Sequence, residues 1–168
     1  MRQLLKEMHS EDPKLLAEKL TNAGVVAPGS LVGCSDNEIA ALESHFSVQL
    51  PEAYKAFLRV WGKEDGGYLN DCSYLYSSLT KWVRRDAEGF AERHNFKLEP
   101  TWFAFLSRDS VFFFFDTAQG IDPPVFRYTE GKEGVEQVYD SFSLWLTDMV
   151  NSDIESWKEL QQMKNERA

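Results

Sequence analysis

Residues 107–124 read SRDSVFFFFDTAQGIDPP, with four consecutive phenylalanines, Phe112 to Phe115, closed by Asp116. Successive side chains of a strand point to opposite faces. Val111, Phe113 and Phe115 therefore share one face, and Phe112, Phe114 and Asp116 the other. A strand apolar on both faces belongs in the middle of a sheet covered on both sides. The helix read at LPEAYKAFLRVW (residues 50–61) is expected to cover one face and the terminal helices the other. Were Phe112 and Phe114 open to solvent instead, their concave face would be the first candidate binding site, with Asp116 at its rim.

The flanks carry the same short-strand signature. TWFAFLS (101–107), SVFFFFD (110–116), PVFRYTE (124–130) and VEQVYD (135–140) are strand candidates separated by turn residues. Their links are too short for crossover helices, so neighbouring strands pair antiparallel. CSYLY (72–76) is a further short candidate.

Helical periodicity brackets this region. SEDPKLLAEKLTNAG (10–24) has Pro13 in its first turn and Gly24 after its end. Before it, Leu4, Leu5 and Met8 fit one helical face. VVAPGSLVG (25–33) reads as a loop. SDNEIAALESHF (35–46) holds Ser35 and Glu38 at capping-box spacing. In the helix starting at Pro51, Tyr54, Phe57, Leu58 and Trp61 form one inward stripe, and Gly62 ends it. KEDGGYLN (63–70) is a turn. SSLTKWVRRDAEGFAERHN (77–95) turns Leu79, Trp82, Val83, Ala87 and Phe90 inward and Lys81, Arg84, Arg85 and Glu88 outward. From Ser141 onward, Phe142, Trp145, Leu146, Met149 and Val150 line one helix. Ile154, Trp157 and Leu160 line a second, with a break expected at Asn151–Ser152. The fold class is thus α+β. It is a single domain over 1–168, with a curved, mostly antiparallel sheet of four to six strands flanked by N- and C-terminal amphipathic helices.

Composition narrows the functional classes. The chain has 168 residues, 43% of them hydrophobic, and a net charge of −9. That charge argues against nucleic acid as a partner, which calls for basic patches, and permits a basic protein. No apolar run approaches the roughly 20 residues of a membrane span. The opening MRQLLKEMHSEDPKLL lacks a signal-peptide core, so the expected location is cytoplasmic. In that compartment Cys34 and Cys72 read as free, half-buried thiols. A bridge between them would need Cα atoms within about 7 Å.

No catalytic constellation is legible, and no cofactor is expected. The histidines His9, His45 and His94 sit among charged or small residues without an HExxH or Cys/His cluster, so no metal site is expected. There is no GxSxG, Walker loop or GxGxxG. Gly66–Gly67 has acidic neighbours that repel phosphate. Asp109 and Asp116 are at strand ends, where solvated turn carboxylates belong. The polar feature that stands out is charge asymmetry. Residues 130–159 hold eight carboxylates against two lysines, a net −6 of the chain's −9. The candidate partner-binding residues are Glu130, Glu133, Glu136 and Asp140, with Asp116, Phe112 and Phe114 if that face is open. The competing reading is the solvated outer face of amphipathic elements.

SDNEIAALESHFSVQLPEAYKAFLRVWGKEDGG (35–67) resembles the SUKH superfamily signature. The matching residues are Glu38, Ile39, Leu42, Glu43, Leu50, Pro51, Tyr54, Phe57 and Leu58. The later strands and SFSLWL also fit, so the resemblance spans about 35–150. Residues 1–34 are then an N-terminal helical extension and 151–168 a C-terminal helix. The chain departs from the pattern at Trp61–Gly62, where members carry Asn-Gly, and lacks the glycine-rich turn before the aromatic strand. The resemblance implies a protein-binding module without a shared catalytic set. Many bacterial members are immunity proteins encoded beside the toxins they neutralise, and fungal relatives act as interaction scaffolds in cell-wall control. It therefore implies a cognate toxin or other protein as partner, with a regulatory scaffold or a small-ligand domain as the alternatives.

Overall fold

The computed structural model describes residues 9–167; the predicted helical face at Leu4, Leu5 and Met8 lies outside them. Helix α1 (Pro13–Asn22) is capped by Asp12, whose carboxylate accepts from the Lys14 amide. A two-residue strand β1 (Leu31–Val32) lies in the stretch read as a loop, and β2 (Glu64–Asp65) lies in the turn after α3 (Glu52–Trp61). They pair antiparallel, Leu31 with Asp65. Two-residue strands are set by their partner, not by local pattern. Gly33 follows β1 because the chain there presses on α3. A Cβ at this position would stand 1.8 Å from the Arg59 carbonyl oxygen.

Helix α2 (Asp36–Phe46) begins with the predicted capping box: the Ser35 hydroxyl accepts from the Glu38 amide and the Glu38 carboxylate from the Ser35 amide. CSYLY does not form a strand. Ser73 makes an isolated bridge to Ser107, and Tyr76 already starts helix α4 (Tyr76–Ser78). A π-helical turn (Leu79–Val83) joins α4 to α5 (Arg84–Arg93). Arg84, read as outward, is half-buried and donates to the Trp102 carbonyl.

The sheet follows the predicted meander. Strands β3 (Trp102–Arg108), β4 (Val111–Asp116), β5 (Val125–Thr129) and β6 (Glu136–Tyr139) lie in the order β3-β4-β5-β6, every pair antiparallel. The register breaks between Ala104 and Leu106, and again between Val125 and Phe126, as bulges that bend a sheet do.

Both faces of β4 are covered, but the division of labour differs from the expectation. Phe115 is fully buried against Tyr54 of α3, ring centroids 5.1 Å apart, and Phe142 of α6 (Phe142–Glu166) lies 5.2 Å from the same ring. Helix α3 and the C-terminal helix thus share one face. The opposite face is closed by α5 and the segment after it: Phe90 packs 5.4 Å from Phe112 and Phe96 4.5 Å from Tyr128. Phe112 and Phe114 are 6% and 1% exposed. They therefore present no open concave face.

The C-terminal segment is a single 25-residue helix, without the expected break. Asn151 and Ser152 cost only tenths of a kcal/mol in a helix interior. Here Asn151 also earns a tertiary contact, donating to the Glu11 carboxylate at 2.9 Å, one turn from Thr147, which accepts from the Glu11 amide.

Tyr54 sits at the centre of the aromatic core with a fully buried hydroxyl that has no hydrogen-bond partner among the described residues. An unpaired buried hydroxyl is destabilising. Tyr54→Phe is therefore expected to leave stability unchanged or raise it by about 1 kcal/mol, measured by urea denaturation. A loss of that size would mean the hydroxyl has a partner in solution.

Candidate interaction face

The β5–β6 hairpin turns through Gly131 and Gly134, both at positive φ, and carries the predicted carboxylates outward. Glu130, Glu133, Glu136 and Asp140 are all exposed. Glu136 is paired across the hairpin: the Arg127 guanidinium donates to it at 2.9 Å, and this bond holds its carboxyl below the usual range. Arg127, Thr129, Lys132, Glu133 and Glu136 line a groove of about 230 Å³ beside the turn. Asp140 accepts from Gln137 at 3.1 Å. Glu130 and Glu133 make no ion pair among the described residues.

These residues do not form one cluster. Glu130 and Glu133 stand at the turn and Asp140 at the far end of β6, roughly 10–13 Å along the strand. The carboxylates of α6 adjoin them through Tyr139, whose hydroxyl donates to Asp148. That phenol is pushed up to about 12 by its burial and by Asp148. Asp148, Glu155 and Glu159 lie at seven- and eleven-residue spacing, one solvent-facing stripe of the helix. Asp153 turns inward and accepts from Tyr68 at 2.6 Å.

Asp116 serves its own turn. Its carboxylate accepts from the Ala118 amide at 2.9 Å and its carbonyl from Gln119. It occupies the same end of the sheet as Asp140, because β4 ends where β6 ends and β5 begins.

The β4–β5 loop, at that end of the sheet, carries a residue that the sequence does not announce. Ile121 is 74% exposed, on a loop tied down at several points. Its carbonyl accepts from the Ala53 amide at the start of α3. Asp122 accepts from the Ser143 amide in the first turn of α6 at 2.9 Å, and Thr117 bonds the Thr101 carbonyl through both its amide and its hydroxyl. A held loop that presents a large apolar side chain loses little entropy on docking. The available signal was an isoleucine between Gly120 and Asp122-Pro123-Pro124, a place where turn residues are expected.

Burial, the largest cause, pushes the Cys34 thiol up to about 11 and the Cys72 thiol up to about 12, away from the thiolate form. Both cysteines are free. His45 packs edge-on to Phe46, and the His94 ring nitrogen lies 2.9 Å from the Phe90 carbonyl. Among the described residues no group of three His, Cys, Asp or Glu side chains could hold a metal, and no helix is long and apolar enough to cross a membrane. A cleft of about 600 Å³ forms a wide trough between α1 and α6, lined by Lys19, Asn22, Asn151, Ile154 and Lys158.

A family model described as SMI1 / KNR4 family (SUKH-1) matches residues 33–148. The match begins just before α2 and ends seven residues into α6, so it takes in α2 to β6 and leaves out α1, β1 and most of α6. No curated protein matches the chain.

Proposed function

The chain belongs to the SMI1 / KNR4 family (SUKH-1), and from that footing we propose that it is a non-enzymatic binding module that neutralises a cognate bacterial toxin by covering it. The carrying observation is the run of exposed carboxylates on the β5–β6 hairpin and the outer stripe of α6. Residues 130–159, in which these carboxylates lie, carry a net −6 of the chain's −9, with Asp153 turned inward to Tyr68. The charge suits a basic toxin domain such as a nuclease, whose substrate groove a negative surface would occupy. Long-range attraction raises the encounter rate, and buried anchors set the residence time. Ile121, on the β4–β5 loop, is the apolar anchor of this reading.

The test is co-expression with the product of the neighbouring gene. Growth is rescued and the two proteins elute as a stoichiometric complex in gel filtration. Changing Glu130, Glu133 and Asp140 to lysine slows association about tenfold at low salt, flattens its salt dependence and leaves the melting temperature in place. Absence of both rescue and complex would sink the toxin reading. A complex with a partner of the host cell instead would support a regulatory scaffold.

A further inference from the structure

The four-stranded sheet has two edges, and the fold treats them differently. Along β3 the outward backbone is taken up. Ser107 and Ser73 exchange both amide–carbonyl bonds, the Trp102 amide donates to the Glu99 carbonyl, and the Trp102 carbonyl accepts from Arg84. At the other edge, no backbone group of β6 has a partner beyond β5 among the described residues. The alternation of an antiparallel ladder tells which groups are left over. The Glu130 amide bonds to the Ser110 carbonyl on the β4 side, so Arg127, three positions back, bonds toward β6. Glu136, its partner in register, bonds back to it. Gln137 therefore turns its amide and carbonyl outward, and Val135, on the other side of Glu136, does the same. Gln137 is exposed, and Val135 is 36% exposed. The bulge at Val125 ends the regular ladder, so the open stretch runs from Val135 to Gln137.

An unpaired edge is a template for another strand, and proteins guard such edges with charge. Here the guard is negative. Exposed Glu130, Glu133, Glu136 and Asp140 flank the stretch, and Asp148 of α6 joins them through the Tyr139 hydroxyl. Against them stand Lys132 at the turn and Arg127, which is engaged by Glu136. A second copy of the chain brings the same carboxylates to the seam and is repelled. A basic segment is attracted. On the footing of the partner-binding role proposed above, we infer that β6 receives an extended, lysine- or arginine-rich segment of the partner as an added strand of the sheet. Main-chain bonds to Val135 and Gln137 supply affinity, and the carboxylates at both ends of the stretch select the charge.

The probe is a capped peptide of alternating lysine and valine, titrated into the isotope-labelled full chain at low salt and followed by amide NMR. It binds with a dissociation constant on the order of 100 μM, shifts the Val135 and Gln137 amides and slows their exchange. The fully N-methylated peptide, equal in charge and side chains, binds at least about tenfold more weakly because it has no amide to donate. Gln137→Pro removes an outward amide that no strand of the chain uses. It weakens binding of the first peptide by a similar factor and leaves the melting temperature within about 4 °C. Equal affinity of the two peptides overturns the inference, because charge alone then holds them. So does the absence of binding, or binding that protects amides elsewhere. Protection of Val135 and Gln137 without any peptide also overturns it, because the edge is then already filled. The toxin reading stands or falls separately. A complex with the neighbouring gene's product that Gln137→Pro leaves intact removes strand addition and keeps the toxin reading. A peptide that adds to β6 when co-expression gives no complex does the reverse.

Discussion

Phe115→Ala lowers stability by about 3–5 kcal/mol, whereas Phe113→Ala, two residues away on the same face of β4, costs about 1–2 kcal/mol. Phe115 is fully buried and surrounded by rings: Tyr54 at 5.1 Å, Phe105 at 5.2 Å, Phe103 at 5.7 Å and Phe142 at 6.0 Å. Removing it leaves a cavity walled by four large side chains on three elements, which cannot collapse together. Phe113 is half-buried and meets Trp145 at 5.9 Å and Phe105 at 6.4 Å, with solvent on its remaining side. Water fills the space it leaves. Urea denaturation of the two variants measures the difference. Equal losses would mean that α6 covers more of the sheet than its packing on Trp145 implies.

Asp65→Ala is expected to cost about 3–4 kcal/mol, a large loss for a single residue in a two-residue strand. Asp65 is 7% exposed and makes no ion pair among the described residues. Its carboxylate accepts three hydrogen bonds instead: from the Tyr74 hydroxyl at 2.6 Å, the Gly67 amide at 2.9 Å and the Leu69 amide at 3.0 Å. Alanine strands the buried Tyr74 hydroxyl and removes the acceptor of the part-buried Gly67 and Leu69 amide bonds, and a buried donor without a partner costs about 1–3 kcal/mol. Asp65→Asn keeps one acceptor oxygen in place and recovers about half of the loss. Thermal denaturation of the pair reads both numbers. A change below about 1 kcal/mol for Asp65→Ala would show that water reaches the turn and replaces the carboxylate.

Features that depend on near neighbours were legible in the sequence. The Ser35–Glu38 capping box, the Tyr54–Trp61 stripe and the period-two pattern of the four strands need only residues a few positions apart. So does the antiparallel meander, because links this short admit nothing else. Choices between distant partners were not legible. The stripes of α5 (Ala87, Phe90) and α6 (Trp145, Leu146) are equally apolar, and nothing local says which covers Phe114 and which covers Phe115. The expected break at Asn151 followed helix propensity; the Glu11 carboxylate, 140 residues away, decides otherwise. The same holds for the interaction face. Its charge is plain in the composition. Which carboxylates are already engaged, Glu136 by Arg127 and Asp153 by Tyr68, depends on contacts made after folding. Ile121 went unnoticed because a single apolar residue in a turn has no period to reveal it.

The order in which Tyr54 acquires its neighbours bears on synthesis. The rings around it come from positions 103, 105, 115 and 142, all made after it, and the last opens α6. A nascent chain that has emerged only through α5 holds the amphipathic stripes of four helices without the four-stranded sheet that receives them. The meander itself pairs only strands adjacent in the chain, so it zips without long loop closures once it emerges. The molecule therefore gains its core late and in one step, near residue 142. A nascent chain stalled before that point is a substrate for chaperones and proteases, not a smaller version of the protein.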